Sequence, residues 1–143
     1  MKICLLDVNV LIALAWPVHI HHVQAGKWFN AKGHKGWATC PLTQLAFVRI
    51  SSNPAIIRDA VRPEQALDML KTMSSHSGHH FWPDDLFVSA PNFFFSAPLT
   101  GHRQVTDAYF LALAIHHGGA LATFDQGITA IAKNASDVEQ IAS

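Results

Sequence analysis

Charge is scarce in this chain. Only 14% of its 143 residues are Asp, Glu, Lys or Arg, and ten of each sign cancel. That shortage excludes a disordered solvating chain and a polybasic partner surface of the histone kind. It leaves nucleic acid open as a ligand, because a neutral chain can still bind it through a local patch. A cluster of carboxylates in so uncharged a chain is not explained by solubility. Cysteine is rarer still. Cys4 and Cys40 sit in apolar runs, and neither stands in a CxxC or other ligand spacing. No disulfide framework or zinc ribbon is implied, and free core thiols fit a reducing cytosol. No apolar run reaches the roughly 20 residues that a membrane helix needs. The stretch from Lys2 to Ala13-Leu14-Ala15 imitates a secretory signal, but Asp7 and Asn9 interrupt it and Pro17, His19, His21 and His22 follow at once. The expected protein is soluble and cytoplasmic, with no membrane partner. Repeats, low-complexity segments and linkers are missing too. So are GxGxxG, a P-loop lysine, the G-x-S-x-G elbow and H-E-x-x-H, which removes support for dinucleotide, nucleotide-hydrolysing, serine-nucleophile and zinc-protease readings.

What is present is apolar: half of the residues are hydrophobic, enough for one sizeable core. The length fits a single domain over residues 1–143. Ile3 to Leu6, Trp37 to Cys40, Phe81-Trp82, Ala120 to Phe124 and Val138 to Ala142 read as short strands. Helices are expected over Val10 to Ala15, His21 to Ala31, Leu42 to Ile50 with Pro41 at its first turn, and after Pro63. Another spans Gln104 to His117 and stops at Gly118-Gly119, and a short one follows Asp125. Leu86 to Leu99, with Phe93 to Phe95, suits either a strand or a packed turn. Strands alternating with helices predict an α/β fold with a central, mainly parallel sheet flanked by helices.

Two acids, Asp7 and Asp125, directly follow apolar strands, and Asp107 lies in the first turns of the most apolar helix. Ligands of open α/β sheets gather outside the C-terminal strand ends. If the two strands are neighbours, all three carboxylates can face one crevice. Without a counter-charge they would raise one another's pKa values. A divalent ion removes that cost, and hard oxygen ligands suit Mg²⁺ or Mn²⁺. Such a site activates water and stabilises charge on a phosphodiester. The same acids also suit plain turn and cap positions, and spacing alone does not choose between the two.

The wording around the acids is more specific. Leu5-Leu6-Asp7-Val8-Asn9-Val10-Leu11-Ile12 resembles the opening of PIN domains, the nuclease fold of VapC-type toxins, and Pro41 to Ile50 resembles their second motif. Val105-Thr106-Asp107-Ala108-Tyr109 and Ala122-Thr123-Phe124-Asp125 resemble the third and fourth, in family order along essentially the whole chain. The resemblance implies a PIN-like three-layer fold and a metal-dependent endoribonuclease cutting single-stranded or loop RNA. It also implies a cognate antitoxin and a homodimer. Carried over by position, it makes Asp7 and Asp107 direct metal ligands, with Asp125 contributing directly or through water. Thr123 matches a hydroxyl that bonds an acid or a water on the ion. Asn9 becomes a partner of Asp7, or else a local turn or cap residue. One position departs from the pattern: Gln44 stands where the second motif more often has Glu. An amide has an acceptor oxygen but no charge, so it orients water or substrate and binds Mg²⁺ less strongly. Gln44 also motivates the alternative of a catalytically weak module that binds RNA or an antitoxin without cleavage. A third reading uses the acidic crevice on small phosphate esters.

The remaining residues read as structural or exposed. His19, His21, His22, His79 and His80 lack a zinc-binding pattern and are expected on the surface. His102 and Arg103 could meet RNA phosphates but read as solvated. Arg49 lies well round the helix from Gln44, at the pocket rim or simply on the surface. Trp16, Trp28, Trp37 and Trp82 suit core or interface better than base stacking, which would show interleaved basic residues.

Overall fold

Short apolar runs of this chain are strands buried on both faces. The computed structural model describes residues 2–88 and 104–142. Its strands are Cys4–Leu6 (β1), Trp37–Thr39 (β2), His79–Phe81 (β3), Ala120–Thr123 (β4) and Val138–Gln140 (β5). They form one sheet in the order β3-β2-β1-β4-β5, and every neighbouring pair is parallel. Between them run helices Val8–Ala15 (α1), His22–Ala31 (α2), Pro41–Ser51 (α3), Pro63–Ser74 (α4), Gln104–His116 (α5) and Gln126–Ile131 (α6).

Period-two alternation splits the three central strands, β1, β2 and β4, between two cores. Leu5, Ala38 and Leu121 join Phe110 and Leu113 of α5 and Ile128 of α6 on one face. Leu6, Trp37 and Ala122 join Leu11 of α1, Trp28 of α2, Phe47 of α3 and Leu70 of α4 on the other. The result is helix, sheet, helix: the expected three layers, with a sheet that is wholly rather than mainly parallel among the described residues. Leu5, Leu6 and Leu121 are completely buried, each worth about 1.5–3 kcal/mol of apolar burial.

Element boundaries shift by a residue or two for identifiable reasons. α1 starts at Val8, not Val10, because the Asp7 side chain caps it by accepting from the Val8 amide. β3 runs over His79–Phe81 rather than Phe81-Trp82. It is an edge strand whose residues are half-buried or exposed, so hydrophobicity marks it poorly. Trp82 has already left the strand and is buried against the core of the α5 face. α5 stops where expected: Gly118 takes φ 72°, a left-handed turn favouring glycine, and the Gly119 amide returns to the Ala114 carbonyl at 2.8 Å. Most of Leu86 to Leu99, including Phe93 to Phe95, lies outside the described residues, as do His102 and Arg103. No helix among the described residues is long and apolar enough to cross a membrane.

Candidate active site at the acidic crevice

The chain lays β2 and β3 on one side of β1, then returns to lay β4 and β5 on the other. The boundary between β1 and β4 is therefore a topological switch point, where open α/β sheets bind ligands. The two strands are in register, Leu6 opposite Ala122, and the Asp7 amide donates to the Ala122 carbonyl at 2.9 Å. Asp7 and Asp125 thus leave the sheet side by side.

Asp7 is buried, with 6% of its surface exposed. Its Oδ1 accepts from the Val8 amide at 2.8 Å, and its Oδ2 accepts from Thr123 Oγ1 at 2.7 Å. Thr123 is completely buried, and the same hydroxyl oxygen accepts from the Asp125 amide at 3.0 Å. One side chain therefore ties the two strand ends together. Asp125 is exposed, and its Oδ1 caps α6 by accepting from the Gly127 amide at 2.8 Å. The cap reading and the crevice reading of these acids hold at once: each carboxylate starts a helix and faces the same place.

Asp107 closes the group from the first turn of α5, half-buried. Its carboxyl is pushed up to about 6, first by burial and then by the charges of Asp7 and Asp125. Burial also raises Asp7; the Thr123 hydroxyl and Val8 amide pull it back, and Asp125 adds to the rise. Among the described residues, no cation is among the causes acting on either acid. The three carboxylates are electrostatically coupled, Asp107 to both Asp7 and Asp125 and Asp7 to Asp125. Such a set suits an oxygen-loving ion such as Mg²⁺, which takes one or two carboxylates and keeps several waters. Oxygen-only donors and mutually repelling negative charge both fit a hard divalent cation.

Gln44 points elsewhere in its hydrogen bonding. Its Nε2 donates to Thr39 Oγ1 at 3.0 Å at the end of β2, and Thr39 in turn meets His79 Nε2 at 2.7 Å. Asn9 is exposed on α1, and the hydrogen bonds of the Asp7 side chain go to Thr123 and Val8 instead. Arg49 is exposed and makes no ion pair among the described residues. The N-terminal histidines are half-buried rather than free on the surface. His22 Nδ1 bonds the Ala13 carbonyl at 2.7 Å, and His21 stacks on Phe124. Trp28, Trp37 and Trp82 are core residues.

Two groupings escaped the sequence. Asp84 accepts from the Leu42 amide at the head of α3 and from the Tyr109 hydroxyl of α5. Asp85 meets His116 and His117 at the far end of α5. In the sequence His116-His117 beside Gly118-Gly119 marks only a helix end, and nothing links it to an acid some thirty positions earlier.

Comparison with known proteins adds a family. The PIN domain model matches residues 4–134. The chain is 46% identical over 124 residues to Ribonuclease VapC39 of Mycobacterium tuberculosis (strain ATCC 25618 / H37Rv), covering 87% of this chain and 89% of that one. It is 45% identical over 130 residues to Ribonuclease VapC38 of the same strain, covering 90% and 89%. Ribonuclease VapC29 is 43% identical over 124 residues, covering 87% and 86%.

Proposed function

This chain belongs to the PIN domain family, and from that premise we propose that it is a toxin ribonuclease of the VapC type, a divalent-metal-dependent endoribonuclease. Its substrate is single-stranded or loop RNA, and residues 1–143 act as one PIN domain in the cytoplasm. The observation that carries the reading is the convergence of three carboxylates at the switch point: burial, Asp7 and Asp125 together push Asp107 up to about 6.

Asp7 and Asp107 hold a Mg²⁺ or Mn²⁺ ion, with Asp125 contributing directly or through water. A divalent ion in such a site neutralises the carboxylates, activates water and stabilises charge on the phosphodiester. Thr123 positions Asp7 by donating to Oδ2, and fixes the Asp125 backbone with the same oxygen. Gln44 orients Thr39 through its amide. A cognate antitoxin protein is the second partner. A groove lined by Leu42, Leu86, Val88 and Val105 offers apolar surface for it or for a homodimer.

The alternative of a module that binds without cutting is favoured by one observation: the Gln44 amide is committed to Thr39, where the family more often offers a carboxylate. Cleavage of a mixed single-stranded RNA with Mg²⁺, Mn²⁺ or chelator separates the two. The expected result is metal-dependent cleavage that falls by about 100-fold or more in Asp7→Asn. No cleavage of several RNAs, with no metal bound, would leave the binding module standing.

A further inference from the structure

The last turn of α5 carries chemistry unlike that of its first turn. His116 ends the helix and His117 follows it, before the chain turns at Gly118. Both imidazoles reach Asp85, in the segment after β3. His116 Nε2 lies 3.5 Å from Asp85 Oδ2, and His117 Nε2 lies 3.1 Å from Asp85 Oδ1. One ligand atom from each of the three residues falls within 4.8 Å of the others. His117 is held in place: its ring stacks on the buried Trp82 with centroids 4.7 Å apart and planes 12° from parallel. A tetrahedral ion with bonds of about 2.0–2.1 Å separates its ligands by roughly 3.3 Å, and each imidazole nitrogen already lies near that distance from one oxygen of the carboxylate.

We propose that Asp85, His116 and His117 form a second metal site, specific for Zn²⁺ and separate from the acidic crevice. Two imidazoles and a carboxylate are a zinc donor set that leaves the fourth position to water. Imidazole nitrogens select against Mg²⁺, which prefers oxygen. The two sites are well apart, since His116 lies about 14 Å along the α5 axis from Asp107 at 1.5 Å rise per residue. The ion acts as a clamp. Asp84, next to Asp85, already joins the α3 head at Leu42 to Tyr109 of α5, and an ion at Asp85 adds a second tie from the residues after β3 to the other end of α5. This inference does not rest on ribonuclease activity.

The test is calorimetric titration of ZnCl₂ into the chelator-stripped full chain. It is repeated in an Asp7→Asn/Asp107→Asn background that disables the crevice. One Zn²⁺ per chain is expected in the Asp7→Asn/Asp107→Asn background, and the same binding event in wild type beside any ion that the crevice takes up. Asp85→Ala and, separately, His116→Ala weaken it by more than about 100-fold, beyond the loss typical of an outer-shell residue. Co²⁺ in the same site gives visible absorption of tetrahedral character that both substitutions abolish. Asp85 and the His116 side chain are exposed, so circular dichroism should show both variants folded, and either one alone decides the matter. Zn²⁺ affinity unchanged in a folded variant overturns the site. So does binding lost only in the Asp7→Asn/Asp107→Asn background, or no binding to the wild-type chain at micromolar Zn²⁺.

Discussion

Thr123 is the residue on which the crevice depends most. Its single hydroxyl oxygen donates to Asp7 and accepts from the Asp125 amide, with no exposure to water. Valine has nearly the same shape and neither bond. Replacement leaves a buried carboxylate oxygen and an amide without partners, at about 1–3 kcal/mol for the pair in stability. It also lets the Asp7 carboxyl rise further, since the hydroxyl is the largest influence lowering it. Thr123→Val is therefore expected to unfold at lower urea and to cleave RNA about 10-fold more slowly, whereas Thr123→Ser keeps both properties. Equal initial rates for Val and Ser would remove Thr123 from the site. The acids themselves are legible in the sequence, because each follows an apolar run or opens a helix. Thr123 is legible only through the resemblance, and Asn9 shows the limit: it is two residues from Asp7, yet the side chain that bonds Asp7 stands 116 positions away.

At the level of elements, the short α/β alternation is readable because buried parallel strands are continuous apolar runs. Strand order is not readable, and it is the order that makes β1 and β4 neighbours and creates the crevice. The exposed edge strand β3 is misplaced by two residues because His79 and His80 carry no apolar signal. Yet His79 links three elements. Gln44 of α3 donates to Thr39 of β2, and Thr39 meets His79 Nε2, while the ring also bonds the Ser74 backbone. Burial and then His80 lower the pKa of His79, which favours the neutral ring. In that form the nitrogen facing Ser74 gives the proton and Nε2 accepts from Thr39, an assignment made from the network. Gln44→Glu reverses the chain: a carboxylate accepts the Thr39 proton, and Thr39 then accepts from a protonated His79. The expected outcome is an upward move of the His79 titration, followed by NMR. An unmoved His79 would mean that Gln44 and His79 are not joined through Thr39.

For the whole molecule, a net charge of zero conceals a local conflict, three acids at one sheet boundary, that composition cannot reveal. The conflict should be measurable in the metal-free protein. Asp107 titrates near 6 when folded and near 3.9 when unfolded. Between those values the folded chain binds more protons, so its stability on this account is greatest below about pH 4 and falls as pH rises through 6. A shift of that size is about 3 kcal/mol if fully felt, and half-exposure to water reduces it to about 1–2 kcal/mol. Asp85 works the other way, since His117 first, then a backbone hydrogen bond and His116, outweigh its desolvation and hold its carboxyl below the usual range, and its contribution is lost in acid. The quantity to compare is therefore the difference between wild type and Asp107→Asn, from urea unfolding at several pH values in chelator. Asp107→Asn is expected to be the more stable of the two at pH 7, with the advantage shrinking toward pH 4. Mg²⁺ at pH 7 should restore wild type and leave the variant unmoved. A variant less stable than wild type at pH 7 in chelator would mean that Asp107 has a compensating partner and that the crevice has no unmet charge for an ion to answer.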